Sequence, residues 1–142
     1  MSEISIDYHD SYLIGINTDI KNSAIEIICT DGKNSSALRF LGVKRSEFNS
    51  FTIGNIILDI EVISGKSMTN RVANHPSFVN LLGVPKESPY FSNILKGIRE
   101  NALKYISIST SYGCYGDLIC ESIEEIPPDE WSPWENAESL KQ

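Results

Sequence analysis

The sequence predicts a mainly β domain of the α+β type: an antiparallel β-sandwich of about six to eight strands with one amphipathic helix near 89–103. The first observation is a period-two alternation of apolar side chains in several segments, which is typical of strands with one buried face. The second is that the connections between these segments are short, whereas parallel pairing needs a crossover of about a dozen residues. The third is that only one stretch shows the 3.6-residue apolar period of a convincing helix.

The clearest predicted strand covers residues 55–63. Its expected core-facing residues are Ile56, Leu58, Ile60 and Val62. The alternate residues, among them Ile57 and Ile63, are expected on a mixed face. The same alternation predicts further strands at 11–18, 24–30, 37–42, 105–110 and 118–123. A turn dipeptide, Asp31–Gly32, separates two of them, and the last two are expected to form a hairpin.

Two connecting segments carry weaker patterns. Residues 44–51 are mostly polar and predict a turn, while 65–87 predict a loop with about one helical turn. The helix that follows has Ser88 as its N-cap and Pro89 at its first position. Its apolar face comprises Phe91, Ile94, Leu95, Ile98 and Ala102. We expect this helix to lie against a sheet or to close one end of the sandwich.

The chain of 142 residues is expected to form a single β-rich domain over 1–128, with a loop and helix insertion at about 65–104. Pro127–Pro128 should end the last strand, because proline cannot donate to a ladder. Residues 129–142 form an acidic tail that contains both tryptophans, Trp131 and Trp134.

The charge is concentrated at the C-terminal end. Residues 121–142 hold seven acidic residues and one lysine, which together carry −6 of the formal net charge of −7. Nucleic acids and anionic membranes require clustered lysine and arginine, so we expect neither as a partner. A basic protein partner would be attracted electrostatically. The alternative interpretation is a solvated tail that maintains solubility.

The cysteine pattern and the N-terminus indicate a cytoplasmic protein. The three cysteines (Cys29, Cys114 and Cys120) are odd in number and lack CxxC spacing, so reduced thiols are expected. The N-terminal residues lack the basic and apolar regions of a secretion signal. No segment approaches the ~18 apolar residues of a membrane span.

Residues suited to catalysis are few, and we expect a protein that is not an enzyme and has no cofactor. The adjacent pair His9–Asp10 could serve as a base or a metal ligand, which keeps a metal-assisted enzyme open as an alternative. Neighbouring residues on a strand point to opposite faces, however, so the two side chains need not converge. His75 is expected to be structural or exposed. No glycine-rich phosphate-binding motif is present.

The residues that could bind a partner are aromatic or acidic. These candidates are Tyr112, Tyr115, Glu124, Glu125, Asp129, Glu130, Trp131 and Trp134. Tryptophan is enriched at interface hot spots, although the rings could instead cover a sheet edge. The two tyrosines flank a glycine-containing turn and could stack on a flat ligand. A small-ligand module with a pocket near the 111–116 loop is therefore a second alternative.

Several phrases of the chain are similar to known small proteins. These are His9–Asp10–Ser11, Leu38–Arg39–Phe40–Leu41–Gly42–Val43, Gly54–Asn55–Ile56–Ile57–Leu58–Asp59–Ile60 and Ser111–Tyr112–Gly113. Together they resemble a group of small bacterial domains, some of which are similar to the immunity proteins of polymorphic toxin systems. The resemblance spans most of 9–126 but not 65–104. It implies an antiparallel β-sandwich that binds another protein, and it carries over no active-site residue. Together with the acidic C-terminal end, it predicts a basic toxin as the partner.

Overall fold

A computed structural model describes residues 8–49, 55–111 and 115–126, which form two four-stranded antiparallel sheets and three α-helices. The strands are β1 (Tyr12–Asp19), β2 (Ala24–Thr30), β3 (Ser35–Leu41), β4 (Arg45–Asn49), β5 (Ile57–Ile63), β6 (Lys104–Thr110), β7 (Tyr115–Cys120) and β8 (Ser122–Ile126). The helices are α1 (Asn70–Ala73), α2 (Pro76–Leu82) and α3 (Pro89–Arg99), preceded by a 3₁₀ turn at Gly65–Ser67. The predicted mainly β, antiparallel architecture is confirmed.

The two sheets are joined at two edges. The first sheet has the order β1-β2-β3-β8 and the second the order β4-β7-β6-β5. The chain passes from one sheet to the other between β3 and β4 and again between β7 and β8. Two backbone hydrogen bonds bridge this corner, from Glu121 N to Leu41 O and from Lys44 N to Ile119 O. At the other edge, Leu13 N donates to Asn55 O at 2.8 Å.

The main core lies between the sheets. It comprises Leu13, Ile27, Cys29, Leu38 and Phe40 from the first sheet and Ile57, Ile106, Ile108, Leu118 and Cys120 from the second. Alternating residues of the paired strands supply these side chains, as the period-two pattern predicts. Removal of this apolar surface from water is the main favourable term in folding.

The helices form a third layer on the opposite face of the second sheet. Phe78 of α2 is fully buried between this sheet and α3. Its ring makes edge-to-face contacts with Phe91 and Tyr105, at centroid distances of 5.7 and 5.1 Å. Such pairs contribute about 0.5–1.5 kcal/mol each beyond their buried area. No helix in the described ranges is long and apolar enough to cross a membrane.

The helical content exceeds the single helix that the sequence predicted. Residues 65–87 hold α1 and α2, which have four and seven residues and are too short to display an apolar period. The N-cap residues of α1 and α2 were the sequence feature that could have predicted these helices. Thr69 Oγ1 accepts a hydrogen bond from Val72 N, and His75 Nδ1 accepts one from Ser77 N. The predicted start of α3 at Pro89, with Ser88 as its cap, agrees with the structure.

The end of α3 was predicted too late. The helix ends at Arg99 because the chain reverses through Asn101, whose φ is +64°. The amides of Ala102 and Leu103 then donate to Gly97 O. Ala102 is consequently exposed and is not part of the apolar helix face.

Two strand predictions are also corrected. Residues 44–51 were predicted as a turn, yet Arg45–Asn49 forms an edge strand whose only core-packed side chain is Phe48. The predicted strand 118–123 divides at Glu121, where the chain changes sheets. The outer face of β4 contacts solvent, so its apolar alternation is weak. The alternation across Glu121 is regular, but it does not indicate that the chain changes sheets there.

The face assignment of β5 was partly wrong. A bulge shifts the register between Ile57 and Asp59. Ile57 therefore joins Ile60 and Val62 on the sandwich side and is fully buried. Ile63 packs against the helices on the other side. A bulge inserts one residue and reverses the alternation beyond it, which a regular pattern cannot anticipate.

Candidate functional site

The face of the second sheet beneath the helices is covered over only part of its area. Residues paired across β4, β7, β6 and β5 form three rows on this face. The covered row is Arg45, Ile119, Tyr105 and Ile63; the middle row is Glu47, Asp117, Ser107 and Glu61; the outer row is Asn49, Tyr115, Ser109 and Asp59. The apolar members of the covered row pack against the helices. Rows two residues apart along a strand share a face, so all three belong to one surface.

The middle and outer rows form an acidic surface, which we call the acidic strand face. Glu47, Asp59 and Glu61 are exposed, and Tyr115 is 48% exposed beside them. Of the twelve residues in the three rows only Arg45 is basic, and its Nε donates to the Leu81 carbonyl at 3.1 Å. This surface therefore carries concentrated negative charge and one exposed aromatic ring.

Asp117 is the buried member of the middle row. The residue is 6% exposed, and its carboxylate accepts a hydrogen bond of 2.9 Å from the Tyr105 hydroxyl. Burial raises the pKa of Asp117 above its ordinary value of 3.8, and the charge of Glu47 adds to this increase. Hydrogen bonds from Tyr105 and Ser107 oppose it. Burial and the Asp117 charge likewise raise the pKa of Tyr105.

The raised pKa of Asp117 predicts a pH-dependent cost to folding. Below pH 3.8 the Asp117 carboxyl is protonated in both the folded and the unfolded protein. As pH rises, the carboxyl ionises first in the unfolded protein, because its pKa there is lower. The free energy of unfolding therefore falls until the pH exceeds the raised pKa of the folded state. Asp117→Asn keeps an oxygen that accepts from Tyr105 but cannot ionise. We expect the melting temperature of this variant, relative to that of the wild type, to increase as pH rises from about 4 to 7.

The measurement is thermal unfolding of both proteins across that pH range. Asp59→Asn, an exposed position on the same face, controls for the loss of one negative charge. If the difference between Asp117→Asn and wild type is constant with pH, burial does not raise the pKa of this carboxyl.

A cleft of about 230 Å³ lies where the helical layer meets the acidic strand face. Its lining residues are Glu61, Ile63, Arg71, Val72, His75, Ser77, Tyr105 and Ser107. The N-terminal turn of α2 positions one wall: His75 Nδ1 accepts from Ser77 N at 3.1 Å, which leaves Nε2 for other partners. A second, more open depression of about 450 Å³ is lined by residues 43–47 with Asn80 and Leu81.

The sequence-predicted binding residues do not form one cluster in the described ranges. Tyr115 lies on the acidic strand face, whereas Glu124 and Glu125 belong to β8 in the first sheet. Glu124 faces outward, and its carboxylate lies 3.6 Å from Arg39 Nη1. Glu125 pairs with the core residue Leu38 and therefore lies on the sandwich side of β8. The remaining candidates, Tyr112, Asp129, Glu130, Trp131 and Trp134, lie outside the described residues.

The predicted ligand pocket near the 111–116 loop stays a prediction. Residues 112–114 lie outside the described ranges, and neither Ser111 nor Tyr115 lines the cleft or the open depression.

The pair His9–Asp10 lies in a turn before β1. His9 Nε2 is 3.6 Å from Asp10 Oδ1, so the side chains do approach each other, but they are 58% and 76% exposed. Asp10 has a φ of +66°, and its amide donates to Ile57 O, which indicates a turn role. Among the described residues, no three His, Cys, Asp or Glu side chains form a group suited to a metal ion.

Two of the three cysteines are buried in the sandwich core. Burial raises the pKa of Cys29 and of Cys120 to about 12, so both remain protonated thiols at neutral pH. Neither is part of a disulfide bond. Cys114 lies outside the described residues.

Sequence reasoning missed the carboxylates of the acidic strand face. The signal was present: Asp59 and Glu61 alternate with apolar residues in β5, and Glu47 occupies the equivalent face of β4. The sequence predicted a mixed strand face for Asp59 and Glu61 and a turn for Glu47, and it did not indicate that they share one surface. No protein-family model matches the chain, and no curated protein is significantly similar to it. Its function is therefore inferred from these residues and their geometry.

Proposed function

We propose that this chain is a non-catalytic protein-binding domain that neutralises a basic toxin, in the manner of an immunity protein. The observation that supports this most strongly is the acidic strand face, where Glu47, Asp59 and Glu61 are exposed around Tyr115. The partner is a protein with a cationic surface, and no bound cofactor is required.

The charge distribution suits recognition of a cationic surface. Like charges held on one face produce a field that accelerates encounter with an oppositely charged partner. The acidic residues of 129–138 have the same sign and would add to that field. Neutralisation of a toxin benefits from fast association, because the partner must be captured before it acts.

The sheet also provides a fixed contact surface. Backbone ladders on both sides of β6 and β7 hold Tyr115 and its neighbours in register, so little order has to be gained on binding. Tyrosine is enriched among residues that dominate binding energy. A rigid acidic surface with one exposed ring therefore combines electrostatic attraction with an apolar anchor.

The catalytic alternative has less support. His9 and Asp10 are both mostly exposed, and they line neither the cleft nor the open depression. Replacing both by alanine should leave protection against the toxin intact.

The deciding experiment is a growth-rescue assay. The reading frames adjacent to the gene are expressed singly in a bacterial host, and any toxic product is then co-expressed with this chain. We expect restored growth and a purified complex whose affinity falls as salt concentration rises. Persistent toxicity, or a complex insensitive to salt, would contradict the proposal.

A further inference from the structure

We propose that the cleft between the helical layer and the second sheet binds a small zwitterion of the α-amino acid class with an apolar side chain. This inference does not depend on toxin neutralisation. It rests on the opposed charges, the apolar wall and the volume of the cleft.

The cleft contains opposite charges that do not neutralise each other. Glu61 projects from β5 on one wall, and Arg71 from α1 lies on another. Among the described residues, no ion pair within 4.0 Å joins either of them to a partner. Two such groups around one small space suit a ligand that carries both a cation and an anion.

The other lining groups match the remainder of such a ligand. A carboxylate would accept from the Arg71 guanidinium, whose planar donors fit two carboxylate oxygens, and from the Ser77 hydroxyl. An ammonium group would donate to the Glu61 carboxylate and to the Ser107 hydroxyl. Each charged group of the ligand thus meets an opposite charge and a neutral hydrogen-bonding partner.

The apolar wall indicates the side chain. Ile63 and Val72 are half-buried and line the cleft together with the Tyr105 ring. The cleft volume of about 230 Å³ is large enough to hold an amino acid such as valine or leucine. Larger cofactors occupy sites of roughly 300–1,000 Å³.

The test uses leucine and its two single-charge analogues. L-leucine, 4-methylpentanoate and 3-methylbutylamine share an apolar tail, but only leucine carries both charges. Isothermal titration of the full chain is expected to give at least a tenfold lower Kd for leucine than for either analogue, with L-valine also binding. Amide resonances of Val72 and Ser107 should shift on titration.

Two variants locate the site. Glu61→Gln and Arg71→Gln should each weaken leucine binding at least tenfold. Lys96→Gln on the exposed side of α3 and Glu100→Gln directly after this helix should not change it. Unchanged melting temperatures and amide spectra of the free variants verify that folding is intact. Absence of leucine and valine binding at about 10 mM, or equal binding of leucine and its analogues, overturns the proposal.

Arg71 separates this inference from toxin neutralisation. Arg71→Gln removes a positive charge and should not weaken binding of a basic toxin, although it should abolish the preference for leucine over 3-methylbutylamine. A protein that rescues growth but binds no amino acid would retain the first proposal and lose this one.

Discussion

Replacing Phe78 with alanine is expected to lower the free energy of unfolding by about 3–5 kcal/mol, the range for loss of a fully buried phenylalanine. The side chain is 0% exposed and contacts the rings of Phe91 and Tyr105, so its removal leaves a cavity between the helices and the second sheet. Urea unfolding monitored by circular dichroism measures the change.

Tyr90→Ala provides the matched control, because this ring lies in α3 but is 36% exposed. Its cost should be near 0.5 kcal/mol, or about that of an ordinary surface substitution. A cost below about 1 kcal/mol for Phe78→Ala would show that the helices contribute little to stability. Phe78→Ala should also weaken leucine binding, since α1 and α2 supply Arg71, His75 and Ser77 to the cleft.

Neutralising the acidic strand face should reduce affinity for the basic toxin by at least about a hundredfold at low salt. The triple variant Glu47→Gln/Asp59→Asn/Glu61→Gln removes three exposed negative charges and keeps similar side-chain shapes. At roughly 1 kcal/mol for each charge, the summed loss corresponds to about two orders of magnitude in Kd. Much of the change should appear in the association rate, which surface plasmon resonance measures at two salt concentrations.

A second triple variant controls for total charge. Asp19→Asn/Glu87→Gln/Glu100→Gln removes the same number of negative charges from exposed positions away from the middle and outer rows. We expect its affinity to remain within a few-fold of wild type. If both triple variants lose affinity equally, the toxin responds to net charge, and the acidic strand face is not its contact surface.

Apolar alternation predicted much of the sandwich. Residues such as Ile27, Leu38 and Phe40 occur at alternate positions and are all buried, because each strand of the first sheet has one core face. The pair Ser88–Pro89 similarly fixed the start of α3. Apolar alternation and helix-capping residues were sufficient to predict a residue's environment wherever that environment depended only on the strand or helix to which the residue belongs.

Features that depend on more than one element could not be predicted. β4 has little apolar alternation because its outer face stays open, and the bulge after Ile57 reverses the side-chain pattern of β5. The candidate site likewise depends on several strands and could not be predicted from any one of them. Tyr115 was named from the sequence, but the grouping of Glu47, Asp117 and Glu61 requires the register of four strands.

The three-row arrangement separates the residues that maintain the fold from those proposed to contact a partner. Ile119 and Tyr105 of the covered row hold the helices, whereas Glu47, Asp59 and Glu61 project outward without supporting the interior. Substitutions at these outward positions can accumulate with little loss of stability. Gene duplicates of this scaffold could accordingly diverge toward new partners by changing a few strand residues, a route to rapid evolutionary retargeting.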